Sequence, residues 1–149
     1  MYFEIPGKPQ GKARARTFYN PRLGRSQSVT PSNTVLYENH IKQSYLMADK
    51  IDKWLGGEPL QMHIKAFFEI PKSTSKRNKE KMLLRQILPT KKPDADNIAK
   101  VICDALNGIA YRDDTQIVSL VVTKVYTASE PKVVVGICEM TEEVNKWQE

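Results

Sequence analysis

At 149 residues the chain suits one domain whose core needs no disulfide support. Hydrophobic residues make up 40% and charged residues 27%, which excludes a disordered or fibrous chain, and the net charge of +6 favours a polyanionic partner. No apolar run approaches the ~18 residues of a membrane span, and the opening MYFEIPGKPQ lacks the apolar core of a secretion signal, so a cytoplasmic protein with no membrane partner is expected.

Residues 2–5 alternate as a short strand, closed by Pro6-Gly7. The run GKPQGKARARTFYNPRLGRS has no apolar period and reads as a loop or irregular ribbon, partly mobile. This basic loop, residues 8–28, lies in a stretch without a single acid between Ile5 and Tyr37, and Lys12, Arg14 and Arg16 are its expected DNA contacts. Phe18 and Tyr19 are expected to pack on the body of the domain, with stacking on a base as the alternative. A helix is predicted over residues 31–54, capped by Ser32 or Asn33 and ended by Gly56-Gly57. Val35, Ile41, Tyr45, Leu46, Ile51 and Leu55 recur there near helical spacing.

Residues 60–70 have a strand's composition, with His63 left out of any site because no partner for it is visible. Residues 72–88 predict a short basic helix or ordered basic loop. The basic segment 72–92 sets eight cations against Glu80 alone, and Lys76, Arg77, Lys91 and Lys92 are taken from it as DNA-binding residues. Strands are predicted over residues 116–127 and 132–140, joined by the turn TASEP, and the tail TEEVNKWQE predicts a helical turn or a frayed end. Cys103 and Cys138 are expected to be core thiols of an intracellular protein, with a bridge between them as the alternative. These elements imply an α+β fold: a single domain, with a mixed or antiparallel sheet and helices packed on it.

Two aspartate pairs, in KKPDADNIAK and RDDTQIVSL, bracket one amphipathic segment and define an acidic site, residues 94–114. On a helical wheel Ile98, Val101, Ile102, Ala105, Leu106 and Ile109 form one apolar stripe, while Asp96, Lys100, Asp104 and Asn107 fall within about 80° on the other side. Gly108 ends the helix, and Asp113-Asp114 follow at the mouth of the next strand. A helix lying along the sheet would bring Asp94 and Asp96 toward Asp113 or Asp114. Carboxylates at that range raise one another's pKa unless neutralised, and Mg²⁺ is the simplest neutraliser. Lys100, one turn after Asp96, would touch a non-bridging phosphate oxygen or steady a carboxylate. The structural alternative makes Asp94 or Asp96 a helix cap and Asp113-Asp114 a turn.

The string KPDADNIAKVICDALNGIAYRDDTQI resembles the signature of the RusA family of Holliday junction resolvases: Pro93-Asp94-x-Asp96-Asn97, then Lys100, Asp104-Ala105-Leu106-Asn107-Gly108 and Asp113-Asp114-x-Gln116-Ile117. The resemblance extends in character to the opening strand with its basic loop, the strand ahead of the signature and a closing hairpin. It implies a bacterial or prophage-encoded homodimer that binds four-way or branched DNA. Its activity would be paired symmetric nicks leaving 5′-phosphate ends, with Mg²⁺ or Mn²⁺ required. By resemblance Asp94, Asp96 and Asp114 are the essential metal-binding acids and Lys100 the catalytic lysine. Asp113 is a neighbour among the metal residues, while Asp104 and Asn97 support the site. A non-catalytic junction-binding protein would explain the basic blocks but not the clustered acids. A metal-dependent enzyme acting on a small phosphate would leave the cationic segments without a task.

Overall fold

Alternation of apolar residues decides which side of a core strand is buried, and in the computed structural model, which describes residues 1–140, the buried sides of the main sheet face one layer of helices. The elements run β1 (Tyr2–Pro6), β2 (Arg16–Asn20), β3 (Arg25–Val29), α1 (Ser32–Leu46), β4 (Leu60–Glu69), α2 (Lys76–Leu83), α3 (Ala95–Leu106), a 3₁₀ turn (Asp114–Gln116), β5 (Ile117–Thr127) and β6 (Lys132–Glu139). The main sheet has the order β1-β6-β4-β5, with β4 and β5 parallel and the other pairs antiparallel. Phe3 and Ile5 of β1, Leu60, Met62, Ile64, Ala66 and Phe68 of β4, and Val133, Val135 and Ile137 of β6 supply its buried face. Tyr37, Ile41 and Tyr45 of α1 and the predicted stripe of α3 cover them, so the core is one layer of side chains between sheet and helices. No helix among the described residues is long and apolar enough to cross a membrane.

This is the expected α+β domain with a mixed sheet, but several local readings change. The basic run stays irregular as far as residue 15 but not beyond it. Residues 16–29 form a regular antiparallel hairpin with its own two-stranded sheet, turned at Gly24 with φ +61°. Phe18 and Tyr19 do not pack on the body; both are exposed. The first long helix stops at Leu46, eight residues short of Trp54, and Pro31 takes the cap position with no side-chain cap bond from Ser32 or Asn33. Beyond it the Tyr45 hydroxyl donates to the Asp52 carbonyl, and Trp54 exchanges backbone bonds with Ala110 and Arg112. Those bonds draw the segment out extended, so Ile51 and Leu55 lie exposed while Thr34 and Tyr37 complete the buried stripe.

β5 and β6 are consecutive in sequence yet do not pair. β4 lies between them. Alternation tells which face of a strand is buried, not which strand sits beside it. β6, the more buried of the two, takes the interior position, and β5, with Val118, Leu120 and Val121 exposed, takes the edge. Cys103 is buried as expected, but Cys138 is exposed near the end of β6, and both thiols are free. The tail TEEVNKWQE lies outside the described residues.

Candidate active site

α3 is set by its apolar stripe. Ile98, Val101, Ile102, Ala105 and Leu106 are fully buried, and Ala99 and Cys103 widen the contact. Gly108, at φ +72°, then lets the chain leave the helix in a conformation that L side chains rarely adopt. With that side buried, Asp96, Lys100 and Asp104 are left on the outer side at i, i+4 and i+8, and the Lys100 ammonium stands 4.0 Å from Asp104.

The turn after α3 is built by Gln116, only 6% exposed. Its amide donates to the Trp54 and Glu58 carbonyls, both at 3.1 Å, and its oxygen accepts from the Arg112 and Asp113 N–H groups at 2.9 and 3.2 Å. Asp113 completes a capping box: its carboxylate accepts from the Thr115 N–H at 2.9 Å. Those bonds from Thr115 hold the Asp113 carboxyl below its ordinary value. One aspartate of the pair is thereby spent on the turn, and its neighbour Asp114 is left exposed at the start of β5.

Asp96, Lys100, Asp104 and Asp114 line one groove of about 360 Å³ between α3 and β5, with Ala99, Cys103, Ile117 and Leu120 as its floor and wall. The Cys103 thiol senses the gathering. Burial pushes it up to about 11, and the negative charges of Asp114 and Asp104 add to the effect. Asp94 occupies the cap position of α3 but makes no side-chain cap bond. It lines the adjoining recess with Gln10, Gly11, Lys12, Lys92, Pro93 and Asn97. Among the described residues Asp94, Asp96 and Asp114 take part in no ion pair. No group of three His, Cys, Asp or Glu side chains there stands ready to hold a metal. The structure brings Asp96, Asp114 and Lys100 together, sets Asp94 next door, and turns Asp113 to a local task.

The expected supporting residues are tied to the basic loop. Lys12 donates from its ammonium to Glu38 and, at 3.0 Å, to Asp104, and from its backbone N–H to the Asn97 carbonyl at 2.9 Å. Burial opposes the Lys12 charge, yet the bonds to Glu38 and Asp104 outweigh it and raise its pKa. Gly11 makes this seat possible: a Cβ there would lie 2.9 Å from the Asn97 Cβ and 3.0 Å from that of Pro93. Arg14, Arg16, Lys76 and Arg77 are exposed. Lys91 and Lys92 share a cleft of about 510 Å³ with Lys8 and Lys72, and Lys92 also borders the recess of Asp94. Lys91 lies 5.8 Å over both the Phe68 and Tyr126 rings.

The roles of three side chains escaped the sequence reading. One is Gln116, named there only as part of the signature, and another is Glu38, which shares Lys12. The third is Lys124, whose ammonium donates to the Lys91 carbonyl at 2.5 Å and the Pro93 carbonyl at 2.9 Å, bracing the loop that delivers Asp94. Lys124 alternates with apolar residues on β5, a signal that marks a lysine's face but not its partners.

A charged groove on an α+β scaffold fits many chemistries, and comparison with known proteins narrows them. Residues 6–138 match the family model described as endodeoxyribonuclease RusA. The chain is also 33% identical over 141 residues to the uncharacterized protein YqaN of Bacillus subtilis (strain 168), covering 93% of this chain and 96% of that protein. With the match spanning sheet, helices, groove and basic hairpin alike, the chain belongs to the RusA family of endodeoxyribonucleases.

Proposed function

We propose that this protein is a metal-dependent, structure-selective endodeoxyribonuclease that resolves Holliday junctions and related branched DNA by paired symmetric nicks leaving 5′-phosphate ends. The carrying observation is the groove that Asp96 and Asp114, exposed and outside any ion pair among the described residues, line together with Lys100. A net charge of +6 offers no general reason to gather carboxylates on one helix face and leave them uncompensated.

The donor set fits a hard divalent cation. Mg²⁺ takes oxygen ligands and is commonly held by one or two carboxylates together with water and substrate phosphate, so a complete protein cage is not required. Asp96 and Asp114 would hold it, with Asp94 reaching in from the adjoining recess and Asp113 as a neighbour that keeps the turn in place; Mn²⁺ would suit the same oxygens. When bound, the ion supplies Lewis-acid polarisation of the scissile phosphate and an activated water. Lys100 is placed to hold a non-bridging phosphate oxygen as charge develops there. Asp104, partnered by Lys12, keeps Lys100 beside the groove. The cleft of Lys72, Lys91 and Lys92, in which Lys8 is paired with Glu69 at 3.5 Å, gives a strand a basic path toward Asp94.

A homodimer is part of this reading, because two cuts in a two-fold junction call for two sites related by the same symmetry. The open edge of β5, with Val118 and Val121 exposed beside the groove, is a surface a second copy would cover. The test is cleavage of a labelled synthetic four-way junction with Mg²⁺, beside linear duplex and the Asp96→Asn and Asp114→Asn proteins. Paired nicks in the junction, absent from the duplex and lost in both variants, support the reading. Tight binding without nicking in Mg²⁺ or Mn²⁺ would leave a junction-binding protein and return the acids to structural duty.

A further inference from the structure

The hairpin of β2 and β3 carries two aromatic rings that the fold does not use. Its register sets Arg16, Phe18 and Asn20 on one face with Val29, Gln27 and Arg25, and Thr17 and Tyr19 on the other with Ser28 and Ser26. Neither face is covered. Phe18 is 49% and Tyr19 63% exposed, and Leu23 at the tip is 51% exposed. A two-stranded hairpin is marginal by itself in water, and uncovered rings on both faces give it an apolar surface to bury.

Charge says what buries it. Arg14, Arg16, Arg22 and Arg25 are all exposed, no acid lies between Ile5 and Tyr37, and none of these arginines is in an ion pair among the described residues. A second copy docked hairpin to hairpin would set the same arginines against one another. The complementary partner is a polyanion that also offers flat apolar faces, which is a nucleic acid with unstacked bases. Intact duplex hides those faces in its stack, whereas a branch point exposes them. The hairpin is also rooted on the site, through the packing of Gly11 on Asn97 and the bonds of Lys12 to Asn97, Glu38 and Asp104.

We propose that Phe18 and Tyr19 form a base-stacking wedge that seats on unstacked bases at a DNA branch point, with Arg16 and Arg25 holding the phosphates beside it. The wedge rests on the branched-DNA reading above and supplies its selectivity. Phosphate contacts bind duplex and junction alike; an aromatic ring rewards only a base that has left the stack.

The full-length protein is titrated in EDTA with a four-way junction and with a linear duplex of matching arms, so that binding is read without cutting. Replacing Phe18 and Tyr19 together by Ala should weaken junction binding about 5- to 150-fold for each base lost from a ring. Duplex binding should stay within about twofold, and the salt slope should not change, because no phosphate contact is lost. Phe18→Trp should keep junction affinity, and Phe18→Leu, which keeps bulk but not the flat ring, should lose it without altering thermal stability. Equal losses on junction and duplex, or no loss on either, would overturn the wedge. A shift of the doubly substituted protein to a smaller assembly would assign the rings to a protein contact and overturn it as well. Junction preference that depends on the rings, in a protein that never cuts with Mg²⁺, would remove the nuclease reading and leave the wedge standing.

Discussion

Gln116 shows how much of a site one uncharged side chain can carry. It makes four hydrogen bonds to the backbone and joins the segment of Trp54 and Glu58 to the turn that presents Asp114. Gln116→Leu would leave the Glu58 carbonyl and the Asp113 N–H without partners and the Trp54 carbonyl and Arg112 N–H only their mutual bond of 3.3 Å, and a loss of about 2–3 kcal/mol in chemical denaturation is expected. Cleavage should fall with it, because the same turn aims Asp114. The Asp113 cap has a pH signature. Its carboxyl is held below the ordinary value by the bonds from Thr115, so the stability it adds is complete above the normal carboxylate range and is lost as pH falls through the lowered pKa. Thermal melts of the parent and Asp113→Ala proteins should therefore differ at neutral pH and converge in acid. Both roles rest on contacts distant in sequence or on a rotamer, which is why the spacing of Asp113-Asp114 left open which member was free and only the family resemblance pointed to Asp114.

At the scale of elements, α3 was legible almost whole. Its wheel separated the buried Ile98, Val101, Ile102, Ala105 and Leu106 from the outward Asp96, Lys100 and Asp104 because burial and period are both properties of the local sequence. α1 was not, since its end is decided by where Trp54 finds backbone partners. The loop ahead of α3 is governed from another strand, by Lys124 on β5. Lys124→Met should free the Lys91 and Pro93 carbonyls, let Asp94 drift, and lower turnover about 10- to 100-fold. Junction binding and melting temperature should change little, and Lys124→Arg should restore part of the rate. An equal fall in stability and turnover would mean that the lysine only holds the fold together.

Over the whole molecule, charge is sorted by place. Exposed cations line the hairpin, the start of α2 and the cleft around Lys91 and Lys92, while Asp94, Asp96 and Asp114, in no ion pair among the described residues, line the recess and groove of α3. A polyanion drawn to the basic surfaces is thus delivered to the carboxylates. Replacing Arg14 and Arg16 by Ala should weaken binding to duplex and junction alike and reduce the slope of log K against log salt by up to about 2, measured by titration over a range of salt. An unchanged slope would take those arginines off the DNA. Lys12 behaves differently from its neighbours, because its charge is met by Glu38 and Asp104 and serves to fasten the loop.

Fold class, the strand and helix content of most segments, the outward face of α3 and the residues of the acidic signature were all determined by the sequence alone, because each depends on period, composition or short-range spacing. Tertiary structure decided the rest. It put β4 between β5 and β6, ended α1 early, ordered the basic run into a hairpin with its rings uncovered, and divided the aspartates between groove, recess and turn. Each of those outcomes is a competition among partners far apart in the chain, for a strand edge, a backbone carbonyl or an ammonium group. No local pattern records which partner wins.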